Sequence, residues 1–284
     1  MREDDLRPSS NIEDRRGMSG GARGGLGIGA VLVLTLIGWA TGIDPSMLIS
    51  GAEMVTGGAT QQQSQQAAPG TPKDEMGLFI AKVLGESEDV WTQILPKQAG
   101  RQYEKPILVL FSGVTQSGCG TAQSAMGPFY CPADRKLYLD TSFFQDMQRR
   151  LGGGGEFAYA YVIAHEVGHH IQNLIGLLPK VQQARQQTDE RSANALSVRT
   201  ELMADCLAGV WAYQMNLRHR NIDADDVKQA VATASAIGDD RLQRSSRGTA
   251  VPDSFTHGSS AQRVQWLTTG LQGGTVQTCN TFAK

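Results

Sequence analysis

Apolar residues recur at three- to four-residue spacing in several long stretches of the chain, with short strand-like runs between the first two. From Asp74 to Leu95 the repeat runs through Phe79, Val83, Val90 and Trp91, which predicts a helix stopped by Pro96. Ile107 to Phe111 is an apolar run of strand formers, and Gly127 to Cys131 and Lys136 to Asp140 read as two more strands between Gly, Pro and Asp breakers. Thr141 or Ser142 can cap a helix through Leu151, ended by Gly152 to Gly155. Phe157, Tyr161, Ala164 and Gly168 give the next helix a side that can pack, and Gly168 lets another backbone come close. That helix ends near Gly176 and Pro179. Asp189 to Leu217 has a long helical pattern, and Asp223 starts another through about Leu242, with Val227, Ala230, Val231 and Ala234 on its apolar side. A small sheet among many helices is an α+β pattern.

The first quarter of the chain is different. Residues 1–25 alternate arginines (Arg2, Arg7, Arg15, Arg16, Arg23) with acids and then turn glycine-rich, a composition expected to be disordered. Leu26 to Ile43 carries no charge, and 18 residues at 1.5 Å each span about 27 Å, just enough for one bilayer crossing. Trp39 suits an interfacial anchor. Arginines precede this segment, and Asp44 and Glu53 follow it. The charge rule therefore predicts a cytoplasmic leader, a transmembrane helix at 26–43 and an extracytoplasmic remainder. A signal peptide cleaved near Ala40 and Gly42 is the alternative. Residues 44–72, with Gln61 to Gln66 at their centre, read as a flexible linker, so the folded domain is expected over 73–284.

Composition narrows the function classes. With 284 residues and 40% hydrophobic content the chain can bury one sizeable core, and a net charge of -2 without a basic stripe argues against nucleic acid as a partner. Four cysteines fit an oxidising compartment. Cys119 and Cys131 flank a glycine-rich connection that a bridge could close, which leaves Cys206 and Cys279 to pair by elimination. Four reduced thiols, or thiolates on a metal, are the alternatives, although no C-x-x-C spacing is present.

The chemistry centres on His165-Glu166-Val167-Gly168-His169, an H-E-x-x-H inside a helical stretch. Residues i and i+4 lie on one helix face, so two imidazoles can close on one metal ion while Glu166 holds a water beside it. A catalytic zinc needs a third protein ligand and one open position. Glu201 and Asp205 are again i and i+4, on the most apolar part of their helix, where two carboxylates need partners. Glu201 can be the third ligand, and Asp205 can hold the second nitrogen of a ligand histidine. A solvated acidic face, or a pair with Arg199, is the competing reading. His170 points about 100° away from its neighbour His169 and reads as structural, and His219 between two arginines reads as exposed.

H-E-x-x-H followed by E-x-x-A-D on a second helix resembles the gluzincin metallopeptidases. The wider sequence is similar to the bacterial family called putative neutral zinc metallopeptidases. The carrying stretches are Asn11 to Arg16, Gly118 to Gly120, Met126 to Asp134, Tyr161 to His170, Glu201 to Gly209, Ile237 to Leu242 and Val251 to Gly258. The resemblance implies a zincin-like fold of two lobes, with zinc in the cleft between them and an edge strand that pairs with an extended peptide. Lys136 to Asp140 is the candidate for that strand. Phe255 to Arg263 resembles the T-H-P…R segment of membrane-linked gluzincins, with glycine in place of the proline. It implies that His257, with Arg263, stabilises the oxyanion. The implied reaction is peptide hydrolysis by a zinc-activated water, with His165, His169 and Glu201 as ligands and Glu166 as base. Two other classes stay open: a membrane-anchored binding module without catalysis, and a zinc amidase acting on cell-wall peptides. Asp239, Asp240 and Arg241 could support the site or merely end a helix in solvent.

Overall fold

The computed structural model describes residues 1–17, 70–150 and 154–283. Its main sheet is built from β1 (Ile12–Asp14), β2 (Ile107–Phe111), β5 (Phe129–Cys131) and β6 (Lys136–Asp140) in the order β1-β2-β6-β5. β1, β2 and β6 run parallel, and β5 closes one edge antiparallel to β6. A separate hairpin, β3 (Val114–Ser117) with β4 (Gly120–Gln123), follows β2. Alternation sends Leu108, Leu110, Leu137 and Leu139 to one face, where they join the helices in a shared core. Val109, Phe111 and Tyr138 point to the other face and pack with Ala122 of the hairpin and with Phe129. Both faces are thus buried, which is why Ile107 to Phe111 reads as a continuous apolar run.

The helices are α1 (Glu75–Ala99), α2 (Ser142–Arg150), α3 (Glu156–Leu174), α4 (Leu177–Gln186), α5 (Glu190–His219), α6 (Ala224–Ala236), α7 (Asp239–Arg247) and α8 (Ser260–Gly273). Several boundaries follow local chemistry. Asp74 caps α1 by accepting from the Gly77 N–H, and Asp189 caps α5 by accepting from the Ser192 N–H. Pro96 does not stop α1. It sits in the last turn, and the helix ends at Gly100 in the left-handed conformation. The single helix expected from Asp223 to Leu242 is broken at Ile237–Gly238, where a Cβ on Gly238 would lie 2.4 Å from the Ser260 backbone nitrogen.

α3, the H-E-x-x-H helix, packs against α5 through Gly168, whose position leaves a Cβ only 3.0 Å from the Ala204 carbonyl oxygen. α5 and α8 meet more closely still, at Gly209 and Gly270. A Cβ on Gly270 would fall 1.9 Å from the Cys206 oxygen. Cys206 is itself bridged to Cys279, and Cys119 to Cys131, the second bridge tying the hairpin turn to the edge strand β5.

Three further expectations change. The main sheet and the helices share one continuous core, so they do not separate into two lobes. Lys136 to Asp140 is an interior strand, held by β2 on one side and β5 on the other, and cannot pair with a substrate. The leader is not disordered over its first part: β1 pairs with β2, Leu6 and Ile12 are buried, and residues 1–14 belong to the same compact unit as the chain from Gly70 on. The apolar stretch 26–43 and nearly all of the linker 44–72 lie outside the described residues. Among the described residues no helix is long and apolar enough to cross a membrane.

Gly270→Ala tests the α5–α8 contact. Alanine is the better helix former by about 1 kcal/mol, but its methyl would meet backbone that cannot rotate away. The substitution should destabilise the domain by about 1–3 kcal/mol in denaturant unfolding, and a neutral or stabilising result would show that the helices can separate freely.

Candidate active site

α3 places His165 and His169 one turn apart with ring centroids 4.8 Å from each other, and α5 brings Glu201 up to both. His165 Nε2 is 3.1 Å from Glu201 Oε2, and His169 Nε2 is 3.4 Å from Glu201 Oε1. Ligand atoms of the three residues all lie within 4.8 Å of one another. Zinc–ligand bonds of about 2.0–2.2 Å in a tetrahedron separate the donors by roughly 3.3–3.6 Å. Two imidazoles and a carboxylate at these separations fit such an ion with little adjustment.

The second nitrogen of each histidine is also engaged. His165 Nδ1 donates to Asp205 Oδ1 at 2.9 Å, and His169 Nδ1 donates to Gln172 Oε1 at 3.0 Å. Gln172 is fully buried and fixed in turn by donating to the Thr200 carbonyl at 2.7 Å. These contacts leave both Nε2 atoms facing Glu201, the tautomer a metal ligand requires. Burial works against charge on His165, yet the hydrogen bond to Asp205, backed by Glu201, pushes its pKa up to about 10. Burial likewise opposes ionised Glu201, but the His169 charge and the two imidazole hydrogen bonds hold its carboxyl well below the usual range. A donor set this strongly polarised is one a cation would satisfy.

Asp205 has no exposed surface and serves four donor groups. It accepts from His165, from the Tyr161 hydroxyl at 2.5 Å, and from Arg263 through Nε and one terminal nitrogen, both at 2.9 Å. Burial would raise its pKa, but the Arg263 charge outweighs this and keeps Asp205 ionised. Here the expectation for Arg263 is corrected. Its guanidinium is buried and forked onto Asp205, so it positions that carboxylate and is not free to meet an oxyanion.

Glu166 lies on the open side of the site. It lines a cavity of about 560 Å³ together with His165, His169, Glu201, His257 and the segment Gly127 to Tyr130. Burial raises its pKa, against the lowering effect of the two histidines and, more weakly, of the nearby Tyr130 backbone. The strand that borders the cleft is therefore β5, the true edge of the sheet.

His257 sits on the cavity wall, exposed, with Nδ1 3.3 Å from Asp239 Oδ1. The same Asp239 accepts from the backbone N–H of Thr256, His257 and Gly258. The hydrogen bond to Asp239 raises the His257 pKa, with burial opposing. Gly258, which departs from the T-H-P pattern, has φ +94°, a value closed to proline. Asp240 accepts from the backbone and hydroxyl of Ser260, whereas Arg241 makes only an exposed contact to Ser235. His170 is structural: its Nε2 donates to the Glu104 carbonyl, its Nδ1 accepts from Tyr130, and burial pushes its pKa down to about 4. His219 is not free in solvent but pairs with buried Glu86 at 3.1 Å.

Sequence reasoning missed the polar roles of Tyr161 and Gln172, and left Asp239 open between supporting the site and ending a helix in solvent. The first two had a readable signal, since Tyr161 stands four residues before His165 and Gln172 three after His169 on one helix. For Asp239 the choice could not be made from sequence, because it is the helix break at Ile237–Gly238 that brings it to His257.

The helices thus gather an H-E-x-x-H pair of histidines and a glutamate that could hold a metal ion. The chain belongs to the family described as putative neutral zinc metallopeptidase, whose model matches residues 1–282. It is 44% identical over 296 residues to the protein YpfJ of Escherichia coli strain K12, covering 100% of this chain and 99% of the relative. It is 40% identical over 262 residues to the protein Rv2575 of Mycobacterium tuberculosis H37Rv, covering 85% and 84%. No solved structure matches the chain.

Replacing Arg263 by Met, which keeps the volume but removes the charge, would leave Asp205 buried with only neutral donors and His165. Breaking a buried pair in this way typically costs about 3–5 kcal/mol. Chemical denaturation of the metal-free protein should register a loss of that size. A loss below about 1 kcal/mol, the range of an exposed pair, would mean Arg263 is not needed there.

Proposed function

We propose that the protein is a zinc-dependent peptidase that hydrolyses peptide bonds in extended polypeptide segments. The observation that carries this is the convergence of His165 Nε2, His169 Nε2 and Glu201 within 4.8 Å of one another on the wall of an open cleft, with Glu166 beside them. A structural metal site would be closed and would need no base.

When bound by His165, His169 and Glu201, zinc supplies Lewis acidity that polarises a carbonyl and lowers the pKa of water. The chain's own residues do the rest. Glu166 takes the proton of the attacking water and returns it to the leaving amine, and burial makes it a stronger proton acceptor than a surface glutamate. β5 is an edge strand that borders the cavity, against which an extended peptide aligns. His257, kept protonated more readily by Asp239, donates to the oxygen on which negative charge develops. Phe129, Phe143, Val162, Leu178, Ile237 and Leu242 line the cavity and favour a bulky apolar side chain next to the scissile bond.

Cleavage of a denatured protein by the purified chain, abolished by a chelator and restored by zinc, tests the reading. Glu166→Gln should keep its zinc and lose at least about 10²-fold in activity, whereas Glu201→Ala should lose most of the zinc while staying folded. Elemental analysis showing a full zinc in Glu201→Ala would remove Glu201 from the ligand set. Full activity in Glu166→Gln would remove the proposed base.

His257 gives an independent check. A donor that meets only the developing charge helps the transition state more than the bound substrate. His257→Ala should therefore keep its zinc and nearly its KM while kcat falls about 10²–10³-fold. An unchanged kcat would confine His257 to the surface.

A further inference from the structure

The N-terminal residues are built into the domain at several points. Ser9 N–H donates to the Ala81 carbonyl of α1 at 2.8 Å, and Leu108 N–H of β2 donates to the Asn11 carbonyl at 2.9 Å. Ile12, 1% exposed, pairs with Leu108, and its own carbonyl accepts from the Gly70 N–H at 2.8 Å. Glu13, also buried, meets Lys136 of β6 at 2.6 Å. Glu88 is the clearest sign that α1 needs this segment. Its carboxylate is 1% exposed and receives Ser9, Asn11 at 2.8 Å and Arg7 at 2.9 Å, three of its partners from the tail. Gly85 completes the seat, since a Cβ there would lie 2.0 Å from the Arg7 oxygen.

Withdrawing Arg7 to Asp14 would leave Glu88 buried with Lys105 as its remaining ion-pair partner, open the outer edge of β2, and expose the pocket filled by Leu6 and Ile12. Residues 1–14 and the peptidase domain must therefore occupy the same aqueous compartment whenever the domain is folded as described. A single bilayer crossing between them would place them in different ones. The chain between holds one uncharged stretch, 26–43, long enough for one crossing, while Asp44, Glu53 and the glutamine run follow without a second.

We propose that the tail is a permanent strand of the domain and lies on the same side of any membrane as the domain. This reverses the topology expected from the charge rule, and it stands apart from the peptidase reading, because it involves no residue of the metal site. In place of a leader left behind in the cytoplasm, Met1–Asp14 and the catalytic cleft share one side.

The test uses the full chain in cells. One protease-cleavage sequence is inserted in the glycine-rich leader between Ser19 and Gly25, and another between Gln62 and Gln66. Protease is then added to cells whose outer barrier has been opened, and to lysed cells. The two sequences should be cut together or protected together. Protection of the leader with cutting of the linker overturns the proposal. In the purified full-length protein, Glu13→Lys should lower the melting temperature by several degrees, and Lys136→Glu in the same chain should restore most of the loss. An unchanged melting temperature in Glu13→Lys also overturns it, since the strand would then be dispensable.

Discussion

The carboxylate of Asp205 is the interaction on which the site depends. It has no exposed surface, and it joins α3 through His165 and Tyr161 to α8 through Arg263, from its own place on α5. An ionised carboxylate so far from water is tolerable only when every lone pair has a donor, and here Arg263 supplies charge as well as geometry. The consequence at the cleft is a fixed ring. His165 cannot turn without breaking its bond to Asp205, so its Nε2 stays aimed at Glu201. Gln172 and the Thr200 carbonyl perform the same service for His169 with neutral groups.

Such a network requires three helices to approach closely, and small residues allow it. Gly168 lies against Ala204 between the two ligand helices, and Gly209 and Gly270 let α8 reach α5. The disulfide from Cys206 to Cys279 adds a covalent tie one residue from Asp205. Helix packing, the gathering of His165, His169 and Glu201 and imidazole orientation are therefore one structural problem with one solution. The β side contributes differently: β5, tied through Cys131 to the hairpin turn, borders the cleft and brings the Tyr130 backbone near Glu166.

What the sequence determined by itself is what local spacing can encode. The i, i+4 relation puts His165 with His169 and Glu201 with Asp205, whatever the surrounding fold, because a helix has 3.6 residues per turn. Helical spacing located the helices that begin after Asp74 and Asp189, and the apolar run Ile107 to Phe111 marked a strand. The candidate donor set His165, His169 and Glu201 was legible for this reason, and so was the pairing of four well-separated cysteines.

Tertiary structure decided everything that joins distant segments. Arg263 is 58 residues from Asp205, and nothing in its own neighbourhood distinguishes a guanidinium aimed at substrate from one forked onto a buried carboxylate. The interior position of Lys136 to Asp140 depends on β5 taking the edge, which strand propensity does not specify. Most of all, the charged leader carried the composition of a disordered segment, since Leu6 and Ile12 are its only bulky aliphatic residues between Arg2 and Arg16. Its order comes from partners elsewhere: Glu88 on α1 for Arg7, Ser9 and Asn11, and the open edge of β2 for Ile12. Composition measures what a segment can bury alone, and a segment that borrows its burial from the rest of the chain is invisible to it.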